Sequence, residues 1–357
     1  MCTRILNNID LNWVTVGRNF DWEFPLTSSV FRSPIGASRT GLSEKEMESA
    51  QLKRDQVLTW TVLYSSISIL IGTDTEGYGM SDGLNTKGLV VNVLYDATTS
   101  WGETIADEQK ALGLLRWGQF VLDSFAKVRD VVRYFESQPV FFVSGAVPGD
   151  DESETELHLI ISDQYGDSAI IGIKQGKAII HHSKKYTVAT NQPEYKTQLS
   201  MMNYWHYQWN LNGTNNPTPV FTAPGGETPV QRFQRACFYR QLTSYDSVGT
   251  NRVAQVKGMV STCAVPLLCS TSNAIGSNQV DLEKEDPIAA TLWTSICDST
   301  KQKYYFFDGM QLGSVWFDVT TSVDQCEIAL LSNATYSLGF MSNGDSILKD
   351  CKDPFSH

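Results

Sequence analysis

The chain has 357 residues, of which 41% are hydrophobic and 19% are charged, and its formal net charge at pH 7 is −11. This composition is that of a globular protein with a sizeable core, and it excludes an intrinsically disordered chain. The negative charge argues against a partner that is nucleic acid or an anionic membrane surface.

No apolar run approaches the roughly 18 residues that a membrane-spanning helix needs. The N-terminus also lacks the basic and apolar segments of a signal peptide. As written, the sequence therefore predicts a cytoplasmic protein, and a periplasmic location is the alternative if Met1 replaces a native signal peptide. We expect a single domain over residues 1–357.

The N-terminal stretch places Cys2 directly behind the initiator methionine. Residues 12–16 alternate and predict a β-strand, which we expect to bend at Gly17 and to bring Arg18 and Asp21 beside Cys2. Removal of the methionine would give this cysteine a free α-amine, so one residue would hold a thiol nucleophile and a base. The alternative is a chance terminal cysteine, with Arg18 and Asp21 as an ion pair at a strand end.

The region before Tyr95 is predicted to begin with a polar segment and to continue as strands. Residues 36–56 predict a short surface helix or a loop. Residues 58–72 are rich in Thr, Val, Ile and aromatic residues, which favours a strand. Residues 82–85 predict a turn, and residues 88–95 predict the strand after it.

Two amphipathic helices are predicted next, over residues 106–123 and 127–137, because apolar side chains recur there at helical spacing. A charged loop is predicted at residues 148–154. A meander of three antiparallel strands is then predicted over residues 156–162, 168–174 and 177–182.

The sequence from residue 186 onwards predicts strands, a loop and a helix. Residues 186–193 predict a strand that ends in a Thr-Asn-x-Pro sequence, and residues 203–229 predict a loop. Thr228 and Pro229 are typical of the N-cap and first turn of a helix. Further strands are predicted within residues 292–295, 303–307 and 313–319.

The cysteine and histidine patterns predict neither disulfides nor a metal site. An odd number of cysteines, seven in a chain of this size, does not predict a disulfide framework. His181 and His182 are adjacent in a predicted strand, so they point to opposite faces. A papain-like pairing of one of the five histidines with Cys2 stays open, although nothing in the sequence links them. Nucleotide-binding, zinc-protease and serine-hydrolase motifs are lacking, and we expect no cofactor and no metal.

Met-Cys-Thr at the N-terminus, followed by Gly-Arg-Asn-Phe-Asp-Trp at residues 17–22, resembles the start of the choloylglycine hydrolase family. That family contains bile salt hydrolases and penicillin V acylases, and it belongs to the N-terminal-nucleophile hydrolases. The resemblance covers roughly residues 1–320. It implies an α+β fold, a four-layer αββα sandwich with two antiparallel sheets between helix layers. The predicted elements agree, because strands and helical pairs are separate and show no βαβ alternation.

The resemblance also implies roles in the hydrolysis of an amide bond. Cys2 would be the nucleophile, Arg18 would lie beside its thiolate, and Asp21 would be the partner of the terminal amine. The side chain of Asn191 and the backbone N–H of Tyr95 would hold the oxyanion. From the residues alone, Tyr95 could instead be a packed aromatic residue at a strand end and Asn191 a turn residue before proline.

A further basic residue of the site is implied by the helix behind Thr228. Its Val-Gln-Arg-Phe sequence resembles a Ser-Arg-Phe segment of the family, which gives Arg232 a role in the site. Arg235 is the competing candidate, and an ordinary surface arginine is the remaining alternative.

The expected substrate is a small-molecule amide. Trp22 and Trp101, with Tyr95, suggest a substrate-binding pocket for a flat or acyl group, as in penicillin V acylases, relatives of which also cleave N-acyl homoserine lactones. The alternatives are conjugated bile salts and a non-catalytic ligand-binding relative. We expect neither nucleic acid nor membrane as partner. We also expect a homo-oligomer, for which a tetramer is one option.

Overall fold

The structure is a computed structural model that describes residues 2–244, 249–267, 289–311, 313–332 and 340–356. Cys269 and His357, which belong to the cysteine and histidine counts above, lie outside these residues. No helix in the described ranges is long and apolar enough to cross a membrane.

One large sheet has seven strands and contains the N-terminus. Its strands are β1 (Cys2–Asn7), β2 (Thr15–Trp22), β16 (Val188–Ala189), β17 (Ala290–Asp298), β18 (Lys303–Asp308), β19 (Ser314–Asp318) and β21 (Phe340–Asn343). Their spatial order is β16-β1-β2-β17-β18-β19-β21. The pairs β1–β2 and β2–β17 are antiparallel, and the N-terminal strand β1 lies second from one edge, between β16 and β2.

The other large sheet has nine strands. They are β3 (Ser28–Ser33), β6 (Ser66–Thr73), β7 (Gly77–Asn85), β8 (Val90–Tyr95), β13 (Leu157–Ser162), β14 (Ser168–Lys174), β15 (Lys177–His182), β20 (Glu327–Leu330) and β22 (Lys349–Asp350). Their spatial order is β15-β14-β13-β8-β7-β6-β3-β20-β22. The predicted meander forms β13, β14 and β15 and is confirmed.

Smaller strand pairs lie outside the two sheets. They are β4 (Ser38–Thr40) with β5 (Thr59–Thr61), β9 (Lys110–Gly113) with β10 (Val140–Val143), and β11 (Ala146–Val147) with β12 (Asp150–Glu154). The pair β9–β10 is parallel and the other two pairs are antiparallel.

The helices form the outer layers. They are α1 (Glu44–Ser49), α2 (Leu114–Ser124), α3 (Val128–Glu136), α4 (Tyr195–Gln208), α5 (Pro229–Leu242) and α6 (Arg252–Ser261). Helices α2 and α3 pack on the nine-stranded sheet, and α5 and α6 pack on the seven-stranded sheet. The order of layers is therefore helix, sheet, sheet, helix, as the resemblance to the choloylglycine hydrolase family implies.

Strand β8 is almost continuously apolar because both of its faces are covered. Val90 and Leu94 pack in the core that includes the space between the sheets, whereas Val91 and Val93 pack in the core under α2 and α3. A strand that is covered on both faces needs apolar side chains at both alternating sets of positions. The composition of β8 is therefore that of a strand buried between two layers.

The predicted bend at Gly17 is wrong. Strand β2 runs through Gly17 without interruption, and the chain reverses earlier, between Asn7 and Thr15. A Cβ atom at position 17 would lie 3.1 Å from side-chain atoms of both Val260 and Ile296. The glycine therefore allows α6 to approach β2 closely. In a sequence, a glycine within a strand indicates either a bend or a close approach of this kind, so the two cannot be told apart there.

The predicted turn at residues 82–85 is also wrong, because these residues end strand β7. A Cβ atom on Gly83 would lie 2.5 Å from Cδ1 of Leu122, so this glycine admits α2 against the sheet. The reversal follows at residues 86–87, where the Asn85 side chain accepts hydrogen bonds from the backbone of Lys87 and Leu89.

Four other boundaries differ from the prediction. The strand predicted over residues 58–72 is interrupted between β5 and β6, and the charged loop at 148–154 contains β12. Helix α2 begins at Leu114, because the preceding residues form β9. The loop predicted to start at residue 203 begins only after α4.

Candidate active site

The antiparallel pairing of β1 with β2 brings Cys2 and Arg18 together. Cys2 lies opposite Phe20, and Arg4 lies opposite Arg18, so the Arg18 side chain extends along the sheet towards the chain start. Its Nη2 donates to Sγ of Cys2 at 3.3 Å. Cys2 and Arg18 are neighbours, as expected. The chain reversal between β1 and β2, and not a bend at Gly17, brings them together.

Arg18 is fully buried beside the sulfur. Its guanidinium lies over the stacked rings of Phe20 and Trp293, with Cζ 4.8 Å and 4.6 Å from the two centroids. Burial lowers the pKa of Arg18, but Cys2 and Asp82 raise it, and the net direction is above the ordinary value. The guanidinium is therefore a fixed positive charge, which favours a negatively charged sulfur.

Asn191 connects the start of the chain to strand β8. Its Oδ1 accepts from the backbone nitrogen of Cys2 at 2.7 Å, and its Nδ2 donates to the backbone oxygen of Tyr95 at 2.8 Å. The side chain is 1% exposed. One hydrogen on Nδ2 remains for a further acceptor, because an amide nitrogen carries two.

The backbone of Tyr95 faces the same space. The Asp96 nitrogen donates to the Glu156 oxygen, so the alternation of an antiparallel ladder directs the N–H and C=O of Tyr95 away from β13. On that side the pairing of β8 with β7 runs only from Val90 to Asn92. The Tyr95 N–H therefore points towards the edge that Asn191 and Cys2 occupy.

Arg232, on α5, joins the remaining predicted groups. Its Nη1 donates to the Cys2 backbone oxygen at 2.7 Å and lies 3.3 Å from Oδ2 of Asp21, and its Nη2 donates to Oδ1 of Asn191 at 3.0 Å. Arg235 instead donates to backbone oxygens of residues 224, 226 and 262. Of the two candidate arginines, the structure therefore brings Arg232 to Cys2.

Asp21 is fully buried in β2. Thr291 donates to its Oδ1 at 2.6 Å, and Arg232 faces its Oδ2. Burial raises the pKa of the Asp21 carboxyl, and the charge of Arg232 opposes this shift.

A pocket of about 60 Å³ opens at the sulfur of Cys2. Trp22 and Tyr95 both line it, with ring centroids 6.2 Å apart in an edge contact. Trp101, the other predicted substrate contact, does not line this pocket and packs against the core under α2 and α3. Apart from Arg18, the wall is uncharged, and its remaining side chains belong to Phe20, Leu26, Ile71, Met80, Ser81, Val93, Leu115, Val147, Pro148, Thr155 and Leu157.

The prediction from the sequence did not include two residues of the site, Thr291 and Asp82. Thr291 contacts Asp21 because β17 pairs with β2, and Asp82 contacts Arg18 because the two sheets pack face to face. Neither contact has a local signal. Asp82 could have been noticed only as a charged residue beside the apolar strands.

The histidines that the structure describes bond away from Cys2. His181 pairs with Glu194 at 2.7 Å, His182 pairs with Asp167 at 2.9 Å, and His158 lies 3.5 Å from Asp96. Within the same ranges no group of three or more His, Cys, Asp or Glu side chains is arranged to hold a metal ion.

Comparisons with known proteins point to one group of enzymes. The family described as linear amide C–N hydrolases, choloylglycine hydrolase family, matches residues 2–320. A penicillin V acylase from Pectobacterium atrosepticum is 28% identical over 327 residues, which cover 89% of this chain and 81% of that protein.

Solved structures resemble the whole chain. A penicillin V acylase from Agrobacterium tumefaciens has a TM-score of 0.77 and 27% identity, and the match covers 99% of both chains. A conjugated bile acid hydrolase from Clostridium perfringens has a TM-score of 0.68 and 18% identity, with 99% of this chain and 98% of that chain covered. The second likeness concerns the fold alone.

Proposed function

The chain belongs to the choloylglycine hydrolase family of linear amide C–N hydrolases, and we propose that it cleaves its amide with Cys2 as an N-terminal nucleophile. The observation that carries this proposal is the placement of Cys2, whose sulfur contacts Arg18 and whose nitrogen contacts Asn191. Removal of Met1 would convert that nitrogen into an α-amine without moving it away from its partner.

The free amine then acts as the base. It takes the thiol proton as the sulfur attacks the substrate carbonyl, and it later returns the proton to the nitrogen of the leaving amine. The C–N bond breaks and a thioester with Cys2 remains. Water attacks this thioester, which releases the acid and restores the thiol. Arg232 holds the N-terminal residue in place through the Cys2 backbone oxygen, and Asp21 faces Arg232 from β2.

The tetrahedral intermediate carries a negative oxygen that needs fixed donors. We assign these donors as Nδ2 of Asn191 and the backbone N–H of Tyr95, because both face the edge of β8 beside Cys2. One such donor typically contributes a factor of about 10²–10³ in kcat.

The substrate that we propose is an amide with a small or flat apolar acyl group, as in penicillin V. The small pocket, its wall without charged side chains other than Arg18, and the edge contact of Trp22 with Tyr95 support this class. The two relatives near 28% identity are both penicillin V acylases, whereas the bile acid hydrolase is more distant.

A neutral N-acyl homoserine lactone is the second candidate. A groove of about 740 Å³ adjoins the pocket, and the two share Leu115, Val147 and Pro148. The acidic residues of the groove outnumber the basic ones; they are Glu44, Glu46, Asp74, Glu76 and Asp353 against Lys45, Arg116 and Lys352. This charge favours the neutral lactone over the anionic glycine or taurine of conjugated bile salts, and it does not favour penicillin V, whose leaving amine also carries a carboxylate.

The experiment is a measurement of amine release from penicillin V, a long-chain N-acyl homoserine lactone, glycocholate and taurocholate. Intact mass first establishes that Met1 is absent. We expect turnover of penicillin V or the lactone, and its loss in Cys2→Ala. Preference for bile conjugates would contradict the substrate proposal, and turnover by protein that retains Met1 would contradict the mechanism.

A further inference from the structure

Asp82 is a fully buried carboxylate at the interface of the two sheets, and none of the steps above uses it. Its Oδ2 accepts from Asn92 at 2.8 Å and Ser295 at 3.1 Å, and it lies 3.5 Å from Nη1 of Arg18. Its Oδ1 accepts from the Tyr304 hydroxyl at 2.9 Å. Sγ of Cys297 also lies 4.0 Å from Oδ1. Five side chains from both sheets therefore converge on one carboxyl group.

The surroundings of Asp82 fit the ionised form. Two groups that face Oδ2, the guanidinium of Arg18 and the amide nitrogen of Asn92, can only donate hydrogen bonds. Burial raises the pKa of Asp82, and the charge of Arg18 opposes this shift. A buried carboxylate is retained at such a place only when a cation and several donors compensate for its lost hydration.

The same guanidinium contacts Cys2 with its other nitrogen. Nη1 of Arg18 faces Asp82 and donates to Oγ of Ser81, while Nη2 donates to Sγ of Cys2 and to the backbone oxygen of Val93. Because the guanidinium is planar and rigid, the contacts of Nη1 determine where Nη2 points. The charge of Asp82 also reduces the positive potential that Arg18 presents to the sulfur.

We propose that Asp82 is a positioning residue that orients Arg18, partly neutralises its charge and thereby sets the pH range in which the Cys2 sulfur is reactive. This inference rests on the proposed role of Cys2 as nucleophile. It does not depend on which amide is the substrate.

Other titratable groups face this cluster from the neighbouring elements. They are Asp21 on β2, Arg4 on β1, Cys297 on β17, Tyr304 on β18 and Arg232 on α5. Asp82 differs from all of them because it contacts the guanidinium that touches the sulfur.

The test is the rate of alkylation of Cys2 by iodoacetamide as a function of pH, followed on the N-terminal peptide by mass spectrometry. In Asp82→Asn the guanidinium is no longer neutralised, so we expect the half-maximal rate to occur about one pH unit lower. In the Arg18→Gln background the buried Asp82 takes up a proton, so the same substitution should change the half-maximal pH by less than about 0.3 units.

Tyr304→Phe keeps the test decisive if Asp82→Asn does not fold. This change removes one donor from the carboxylate, which raises the pKa of Asp82 further and lowers the fraction of Asp82 that neutralises Arg18, so we expect a smaller shift in the same direction. Trp13→Phe is the matched control, since it removes a neutral donor from Asp298, a carboxyl away from Cys2, and should leave the profile unchanged.

An unchanged profile in folded Asp82→Asn, or an equal shift with and without Arg18, would overturn the proposal. Absence of turnover on every amide, with the alkylation shift intact, would instead contradict only the substrate class proposed above.

Discussion

Oδ1 of Asn191 lies 2.7 Å from the backbone nitrogen of Cys2, although 189 positions separate the two residues in the chain. The distance is set by the pairing of β1 with β16, in which Arg4 lies opposite Ala189. Asn191 lies two residues beyond the end of this short strand and therefore reaches the chain start. A single amide side chain can thus orient the base and contribute to the oxyanion site.

Substitution of Asn191 should separate catalysis from folding. In Asn191→Ala the Cys2 nitrogen loses its acceptor and the oxyanion loses one donor, so we expect kcat to fall by about 10²–10³. Steady-state kinetics on the amide that the enzyme turns over measures this effect. Asn216→Ala is the control, because Asn216 is also buried but bonds to the oxygen of Tyr207; an equal loss in both variants would contradict the assignment.

The two arginines of α5 provide a second matched pair. Arg232→Lys replaces a fork that bonds Cys2, Thr3 and Asn191 by a single ammonium group, so we expect kcat/KM to fall at least about 100-fold in a folded protein. Arg235→Lys loses bonds to backbone oxygens away from Cys2 and should change the free energy of unfolding more than kcat. Similar kinetic losses in the two variants would argue against a special role for Arg232.

Much of the fold can be predicted from local sequence. The strand segments of β13–β15 with the turns between them, and the Thr228-Pro229 start of α5, are short-range signals, and the structure contains both. The side chain of Thr228 accepts from the Gln231 nitrogen, as an N-cap does. Such features depend on residues within four positions of each other.

The wrong predictions at Gly17 and at residues 82–85 share one physical cause. The residues that determine the local structure there pack against it from distant parts of the sequence. Gly17 and Gly83 suggest a bend and a turn, but each makes room for a helix that packs on its sheet. Asp82 appears to be a turn residue until Arg18 and Tyr304 are seen to face it from the other sheet. Placement of Cys2, Arg18 and Asp21 was possible because they occupy paired or neighbouring strands at the chain start.

Differences in thiol chemistry should make Cys2 react before Cys326 and Cys351. Burial raises the pKa of Cys326 to about 12 and that of Cys351 to about 11, and in both cases Asp353 adds to the shift. These two thiols are therefore protonated near pH 7.5, whereas Arg18 lies beside the Cys2 sulfur. Iodoacetamide should modify Cys2 before these two thiols, as peptide mass spectrometry can show.

The pH dependence of the slower thiols follows from the same shifts. Only the thiolate reacts, so the modification rate of Cys351 should rise about tenfold per pH unit between pH 8 and 10, below its pKa. Arg18→Gln should slow the modification of Cys2 and leave that of Cys351 unchanged. If Cys351 reacted as fast as Cys2 at pH 7.5, the effect assigned to Arg18 would be wrong.

The buried pair of Arg39 and Asp123 allows a prediction about stability alone. Both side chains are fully buried, with Nη1 and Oδ2 2.7 Å apart, and Trp60 also donates to the same oxygen. Asp123→Ala leaves the Arg39 charge with Asp353 as its remaining carboxylate partner, so the free energy of unfolding should fall by about 3–5 kcal/mol. Denaturant unfolding monitored by circular dichroism measures this change.

Asp353→Ala is the matched control for this pair, because it removes the partner of Arg39 that is 12% exposed and therefore less desolvated. Its cost should be smaller than that of Asp123→Ala. Asp123 lines neither the Cys2 pocket nor the adjoining groove, so kcat per folded molecule should be unchanged in Asp123→Ala. Asp353→Ala is a control for stability only, because Asp353 lines the groove. A loss of kcat in Asp123→Ala that persists in fully folded protein would mean that this ion pair also acts on the site.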